Sequence, residues 1–293
     1  KILKKLIKLK ISNICIDTEG AQIRTTKIKK PVILKKNEIV EIYCGSNKSN
    51  KKKIFLYPNF QLQKVKKNKT ILIGFETLKL KKISNVKKGI KCRVIQSGEL
   101  DSNKGVHINQ KIKLNPFTKK DIEACKIASK YKVKHFALSF ANIKNDVIIF
   151  RKLLGKNCFI ISKIETRLGF KNRKDIIASS DAILIDRGDL SRYIDLSEIP
   201  IAQKMIANSA NKQKKQFYIA TNLLETMIKK NAPTRAESND IFSSLDSNCS
   251  GLVLAAETAI GKFPIEAIEF IKSSINNYKK YKKMGIKKYS IKF

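Results

Sequence analysis

Six hydrophobic runs, each carrying a polar side chain at or near its end, constrain the fold of this 293-residue chain more than any other feature. Each run is almost continuously apolar before its polar end, as is typical of a parallel strand buried on both faces. In a (β/α)₈ barrel the carboxyl ends of the strands meet at one face, so the pattern predicts an α/β barrel of this type. The runs are NICID, ending at Asp17; HFALSF, with Ser139; CFIISKIE, with Lys163 and Glu165; AILIDRGD, ending at Asp189; FYIAT, ending at Thr221; and GLVLAAET, with Glu257.

The texture of the sequence changes twice along the chain. Residues 25–106 contain short β-rich pieces separated by Lys, Asn, Gly and Ser turns, which favours a small β-barrel or sandwich. From Asn115 onward, strand-like runs alternate with amphipathic helical segments, the rhythm of a parallel sheet or barrel. We therefore predict a discontinuous barrel domain at 1–24 and 107–285, an inserted β domain at 25–106 and a basic tail at 286–293.

Three helices have readable first turns. Thr118 precedes Asp121 by three residues, and Thr234 precedes Glu237 by three, which is the spacing of the capping box. Pro264 opens the last amphipathic segment, and proline is favoured in the first turn of a helix. The sequence predicts helices that begin at these three places.

The net charge of +38 fits nucleic acid or an anionic membrane as a partner, but the lysines are spread along the chain and accompany abundant Ile and Asn. Codons rich in A and T explain that composition equally well. We expect no specific nucleic acid and no membrane partner. A cytoplasmic protein is expected, because no run reaches the roughly 18 apolar residues of a membrane span and no secretory signal is visible. The six dispersed cysteines are predicted to be reduced core thiols.

Two short motifs, KIE and RGD, place carboxylates on neighbouring strand ends. Glu165 and Asp189 there suit an octahedral Mg²⁺, or Mn²⁺, that also binds substrate oxygens. Lys163 lies on the same side of its strand as Glu165, because side chains alternate with a period of two. A simple pairing of the lysine with the glutamate explains the same spacing, and both interpretations stay open.

Motifs occur along nearly the whole chain: ICIDTEGAQIRT, KGVHI, ALSF, SKIET, DRGDL, AQKMI, ATNLLETMI, PTRAESNDI and AAETAIGKFPIEAI. As a set they resemble one known family, pyruvate kinase. The resemblance covers nearly the whole chain and implies a TIM-barrel domain interrupted by a β lid domain, with strands 3 to 8 of the barrel present. It implies phosphoenolpyruvate and ADP as substrates, Mg²⁺ or Mn²⁺ with possible K⁺, and a homo-oligomer.

The resemblance also implies roles for the residues at the strand ends. Glu165 and Asp189 would hold the Mg²⁺. Lys163 would neutralise charge on the phosphoryl group during transfer. Thr221 matches a threonine near the protonated face of the enolate. The backbone amides of Gly188 and Asp189 would receive the substrate carboxylate.

Further residues match the nucleotide and monovalent-cation contacts of the family. Arg24 matches an arginine near the transferred phosphate, and Lys104 matches a lysine near the nucleotide. Asp17 and Thr18 match ligands of a K⁺ site. Gln22 replaces the glutamate of the K⁺-dependent members.

The chain departs from the family pattern at several other places. Asp186 replaces the alanine of ARGD, and Asn222 replaces the glutamine after the threonine. We expect a divergent member that is incomplete at its N-terminus and lacks the C-terminal effector domain. Two alternatives remain: a paralogue that uses the same Mg²⁺-enolate site on another phosphorylated or 2-oxo acid, and a catalytically weak remnant with a basic binding surface.

Overall fold

The computed structural model describes residues 2–74, 78–110 and 112–285. The basic tail predicted at 286–293 lies outside the described residues. Over the described part of the chain, no helix combines the length and the apolar character needed to cross a membrane.

The chain divides into two compact units. One is formed by the residues up to Thr18 together with those from Ala124 onward, and the other is Glu19–Glu123. The inserted domain was predicted at 25–106. The second unit extends beyond both of these limits.

The secondary structure agrees with the two sequence patterns: a series of short strands comes first, and strands that alternate with helices follow. In chain order the strands are β1 (Cys15–Asp17), β2 (Ile23–Thr25), β3 (Val32–Leu34), β4 (Ile39–Cys44), β5 (Lys53–Tyr57), β6 (Thr70–Ile73), β7 (Leu78–Val86), β8 (Gly89–Gln96), β9 (Gly98–Leu100), β10 (Gly105–Ile108), β11 (His135–Leu138), β12 (Phe159–Ile164), β13 (Ala182–Asp186), β14 (Gln216–Ala220) and β15 (Gly251–Val253). The helices are α1 (Ile2–Lys8), α2 (Lys119–Lys130), α3 (Lys144–Leu154), α4 (Arg167–Lys171), α5 (Arg173–Ser179), α6 (Arg187–Leu190), α7 (Ile199–Lys212), α8 (Arg235–Asp246), α9 (Ala256–Ala259) and α10 (Pro264–Met284).

The first unit contains a six-stranded parallel sheet in the order β1-β11-β12-β13-β14-β15. All five residues of β13 are buried, and helix α7 packs against β13 and β14. A strand covered in this way must be apolar along its whole length up to its polar end. The predicted α/β class is confirmed; among the described residues the strands form a curled half-barrel and not a closed eight-stranded barrel.

Two of the predicted strand ends fall earlier than the sequence suggests. The run AILIDRGD leaves the sheet at Asp186, because the carboxylate of that residue accepts a hydrogen bond from the amide of Asp189 and starts α6. The run GLVLAAET leaves the sheet at Val253, and Glu257 lies in α9. Asp189 and Glu257 therefore lie in short helices that follow the strands.

The predicted helix starts are confirmed. Thr118 and Asp121 exchange hydrogen bonds between side chain and backbone at 2.8 and 3.1 Å. Thr234 and Glu237 form the same reciprocal box at 2.7 and 3.2 Å. Pro264 is the first residue of α10. Local chemistry of the first turn thus decides where these helices begin.

The second unit is built around a closed β-barrel with the strand order β10-β2-β5-β4-β8-β7-β6. Its strands contribute fully buried aliphatic side chains such as Ile42, Ile54, Ile71 and Leu80 to one hydrophobic core. β2 pairs with β10 and β5, so the strand that carries Arg24 belongs to this barrel. Closure leaves no open strand edge around the seven-stranded ring.

Candidate active site

Polar residues from five strands meet at the carboxyl edge of the parallel sheet. Parallel strands present their carboxyl ends on the same side, which is where α/β proteins bind their ligands. The residues are Asp17 at the end of β1, Ser139 after β11, Lys163 in β12 with Glu165 directly after it, Asp186 at the end of β13, and Thr221 after β14.

Lys163 lies among three carboxylates. Its side chain is mostly buried, and its Nζ lies 3.2 Å from Asp17 Oδ2, 3.1 Å from Glu165 Oε1 and 3.6 Å from Asp186 Oδ2. Burial by itself would lower the pKa of this ammonium group, but the charges of Glu165, Asp17 and Asp186 outweigh burial and raise the pKa above its ordinary value. Lys163 is therefore a fixed positive charge.

Glu165 is completely buried beside this lysine. Its Oε2 accepts a hydrogen bond of 2.5 Å from the amide of Phe140, a residue with a positive φ of +54°. Burial raises the pKa of the Glu165 carboxyl; Lys163 opposes the rise, and Asp186 and Asp189 add to it. Ionisation of Glu165 is therefore opposed by burial and by the two neighbouring carboxylates, and it is favoured by Lys163 and by the Phe140 amide.

Glu165, Asp186 and Asp189 each offer one carboxylate oxygen, and these three oxygens lie within 4.8 Å of one another. Hard divalent cations such as Mg²⁺ and Mn²⁺ prefer oxygen ligands of this kind. Arg192 Nη1 lies 3.1 Å from Asp189 Oδ1 and offsets part of the negative charge. The donor set fits the predicted cation, with Asp186 as a carboxylate that the metal-site prediction did not include.

Thr221 has an unusual backbone conformation. Its φ is +70° and that of Asn222 is +54°, a left-handed region that branched residues rarely adopt. Gly188 N donates a hydrogen bond of 2.8 Å to Thr221 Oγ1. Arg187 donates from Nε and Nη2 to the carbonyl oxygen of Thr221, at 3.1 and 2.6 Å. These hydrogen bonds from Gly188 and Arg187 hold the strained backbone of Thr221 in place, and they fix the direction of its hydroxyl.

Side chains engage both amides that were predicted to receive a substrate carboxylate. Gly188 N donates to the Thr221 hydroxyl, and Asp189 N donates to Asp186 Oδ1 at 3.2 Å. Thr221 Oγ1 itself lies 3.2 Å from Asp186 Oδ1. The structure thus brings Lys163, Thr221, Gly188 and Asp189 together, and it adds Asp186 in their midst.

Asp17 and Thr18, the predicted K⁺ ligands, meet Ser139 of the neighbouring strand. Asp17 Oδ1 accepts from Ser139 Oγ at 2.9 Å. Thr18 Oγ1 accepts from Ser139 N at 2.9 Å and donates to Ala137 O at 3.2 Å. Hydrogen bonds within the chain account for these oxygens, and the K⁺ role stays a prediction.

Arg24 and Lys104 belong to the second unit and contact its own residues. Arg24 Nη1 donates to Asn103 O at 2.9 Å, and Lys104 Nζ lies 3.8 Å from Asp101 Oδ2. The backbone amide of Lys104 donates to Thr25 Oγ1. Their predicted contacts with phosphate and nucleotide stay predictions.

Two positioning residues near the site, Arg187 and Asp240, were not predicted; Glu257 was named only as the polar residue of its run. Arg187 also donates from Nη1 to Asp240 at 2.8 and 2.6 Å, which links DRGDL to PTRAESNDI. Glu257 is buried and accepts from Leu224 N at 3.1 Å and from Ala255 N at 2.9 Å. Arg187 and Asp240 are oppositely charged residues inside two recognised motifs, and that was the one available signal for their pairing.

Two cavities lie along the segment that follows β14. The smaller, of about 120 Å³, is lined by Thr221, Asn222 and Glu257 among others. The larger, of about 520 Å³, is lined by residues farther along the same segment, including Lys229 and Thr234. Lys163 and the carboxylates of Glu165, Asp186 and Asp189 line neither of them, so the geometry of the side chains locates the candidate site better than cavity size does.

The fold and the site define an α/β protein with a β-barrel unit inserted in its chain and a lysine-carboxylate site at the carboxyl edge of its parallel sheet. A family model described as "Pyruvate kinase, barrel domain" matches residues 2–268. The chain belongs to the pyruvate kinase family.

Curated relatives named pyruvate kinase cover most of the chain. One from Thermotoga maritima is 33% identical over 263 residues, which are 88% of this chain and 56% of the relative. One from Borreliella burgdorferi is 32% identical over 289 residues, 95% of this chain and 60% of the relative. One from Chlamydia muridarum is 31% identical over 276 residues, 91% of this chain and 57% of the relative. The chain thus spans less than two thirds of the length of each of these relatives.

Proposed function

We propose that the chain carries the phosphoryl-transfer site of a pyruvate kinase, which converts phosphoenolpyruvate and ADP to pyruvate and ATP as a step of glycolysis. The observation that carries the proposal is the placement of Lys163, Glu165 and Asp189 at one edge of the sheet, the edge that also presents the hydroxyl of Thr221. In this proposal the six strands correspond to strands 3 to 8 of a TIM barrel.

Glu165 and Asp189 would hold Mg²⁺ or Mn²⁺, which supplies Lewis-acid neutralisation of substrate oxygens when it is bound. Lys163 would stabilise the negative charge on the phosphoryl group during transfer. A cation that is already fixed by Asp17, Glu165 and Asp186 needs little reorganisation as that charge develops, and this is the condition for strong electrostatic catalysis.

Thr221 would orient the proton that reaches the carbon of the enolate. Its hydroxyl is held by Gly188 N and lies beside Asp186, so it has both a donor and an acceptor partner. The amides of Gly188 and Asp189 would bind the substrate carboxylate. Arg24 and Lys104 would contact the phosphate and the nucleotide.

The test is ATP formation from phosphoenolpyruvate and ADP by the purified full chain with Mg²⁺, with and without K⁺. We expect turnover that disappears in Glu165→Gln, because that variant keeps the size of the side chain and removes the charge that the cation needs. The folded state of both proteins is checked by circular dichroism. Equal rates in the two proteins would remove Glu165 from the cation site, and no turnover from the folded chain would contradict the proposed function.

A further inference from the structure

The carboxylate of Asp186, at the carboxyl edge of the sheet, lies among hydrogen-bond donors and a positive charge. Asp186 is 7% exposed. Its Oδ1 accepts from Asp189 N at 3.2 Å and lies 3.2 Å from Thr221 Oγ1. Its Oδ2 lies 3.6 Å from Lys163 Nζ. An amide, a hydroxyl and an ammonium group thus converge on one negatively charged side chain.

We propose that Asp186 is an internal anion that competes with the carboxylate of an incoming substrate for Asp189 N, Thr221 and Lys163, and so determines which substrates this site accepts. The inference rests on the proposed function, in which Asp189 N binds the substrate carboxylate and Lys163 and Thr221 contact other parts of the substrate. Small carboxylate ligands, such as 2-oxo acids and their phosphorylated enol forms, bind more weakly here than they would beside a neutral residue.

The competition is both geometric and electrostatic. The single hydrogen of Asp189 N is already donated to Asp186, so a second carboxylate has to displace the first. A substrate carboxylate that approaches without displacing it meets a like charge at contact distance in a buried place, where screening by water is weak. Displacement requires Asp186 to rotate away from Lys163 and from the start of α6. Each route lowers the affinity for anions.

The negative charge of Asp186 is more than the helix cap needs. A neutral asparagine accepts the same hydrogen bond from the third amide of a helix. The capping carboxylate also adds a negative charge beside Glu165, whose own pKa is already raised by burial. Capping alone therefore does not explain the charge at position 186.

The experiment measures the affinity of oxalate, a small dianion, by isothermal titration calorimetry with and without Mg²⁺. Asp186→Asn keeps the cap and removes the charge; Asp186→Ala removes both. Asp181→Asn is the matched control, because Asp181 also accepts a backbone amide, that of Ile160, but lies just before β13, at the opposite end of the strand. Circular dichroism and thermal unfolding verify the fold of each variant.

We expect Asp186→Asn to bind oxalate at least about tenfold more tightly than the natural chain. Asp186→Ala is expected to do the same if it folds, and Asp181→Asn to leave the affinity unchanged. Unchanged or weaker oxalate binding by Asp186→Asn overturns the proposal, and so does the absence of measurable binding. Weaker binding only in the presence of Mg²⁺ would identify Asp186 as a ligand of the cation instead.

The two proposals fail in different ways. Tighter oxalate binding by Asp186→Asn, in a chain that forms no ATP, supports the internal anion and contradicts the proposed function. Turnover that depends on Glu165, together with an unchanged oxalate affinity, supports the proposed function and contradicts the internal anion.

Discussion

Arg187 holds Thr221 by its backbone, with Nε and Nη2 both donating to the Thr221 carbonyl oxygen. Asp240 binds the remaining Nη1 of the same guanidinium group. The left-handed conformation of Thr221 costs on the order of 1 to 3 kcal/mol, so it persists only while its surroundings impose it. Arg187 acts at the site through Thr221 and is a positioning residue.

Arg187→Lys is expected to lower kcat for ATP formation by up to about 100-fold, because a lysine ammonium cannot make the forked contact and the Thr221 hydroxyl loses its direction. The matched control is Arg151→Lys. Arg151 joins the carbonyl of Cys158 to Asp181 with similar geometry at the amino end of the sheet. Steady-state kinetics of the two variants, with their thermal unfolding, separate positioning from stability.

The control should lose stability and keep its kcat. An Arg187→Lys protein whose kcat equals that of Arg151→Lys would show that the arginine only stabilises the fold. A shift of the unfolding midpoint in both variants, with a loss of kcat in one, is the expected pattern.

The raised pKa of Glu165 predicts the pH dependence of stability in the metal-free protein. Its carboxyl binds a proton more tightly in the folded chain than in the unfolded chain, where the pKa is ordinary. The folded state therefore holds more protons between the ordinary carboxyl range and the raised value, and the free energy of unfolding falls as the pH rises through that window. Denaturant titrations across the window, without divalent cations, measure this slope.

Glu165→Gln should flatten the slope, because the titrating group is gone. Saturating Mn²⁺ should flatten it as well, since a bound cation favours the ionised carboxylate. A natural chain whose stability rises with pH over the same range would contradict the assignment of the raised pKa to Glu165.

The amino-acid sequence predicts the part of the site that depends on two things: the alternation of side chains along a strand, and the places where apolar strands end. Lys163 and Glu165 are two residues apart and therefore lie on the same side of the strand, and Asp17 and Thr221 lie at or just after the ends of apolar runs. Their convergence follows from a parallel sheet. The sequence also predicts the division into a parallel α/β part and a β-barrel part, because strands that alternate with amphipathic helices have a different residue pattern from a series of short strands. The capping boxes at Thr118 and Thr234 are readable because all their atoms come from four consecutive residues.

The remaining features depend on contacts between residues distant in sequence or on backbone conformation. The link between Arg187 and Asp240 spans 53 positions. The positive φ of Phe140 and Thr221 is imposed by partners, since neither residue type favours it. The capping role of Asp186 ends β13 three residues before the predicted end, because a short side chain at a strand end can start a helix with one hydrogen bond.

Thr234→Ala is expected to lower the free energy of unfolding by about 1 kcal/mol, because the first turn of α8 loses its side-chain cap. Glu237 then loses the hydroxyl of Thr234 while it keeps its bond of 2.7 Å from Thr226 N. The control is Ser238→Ala, because Ser238 is exposed and follows Glu237 in the same helix. This variant should change the free energy of unfolding by less than about 0.5 kcal/mol. Equal stability of the two variants in urea titrations would show that the box contributes nothing.

Lys163→Met tests the catalytic cation directly. Removing a buried positive charge among three carboxylates leaves negative charge unpaired, so this variant should be destabilised at neutral pH and should regain part of its stability as the pH is lowered and Glu165 takes up a proton. In ATP formation it should lose about 3 kcal/mol of transition-state stabilisation, the size of effect attributed to a single electrostatic donor. Lys163→Arg keeps the charge and displaces it, so it should retain stability better than activity. A methionine variant that folds and keeps the natural kcat/KM would mean that Lys163 only neutralises its carboxylates, which is the pairing interpretation that the sequence left open.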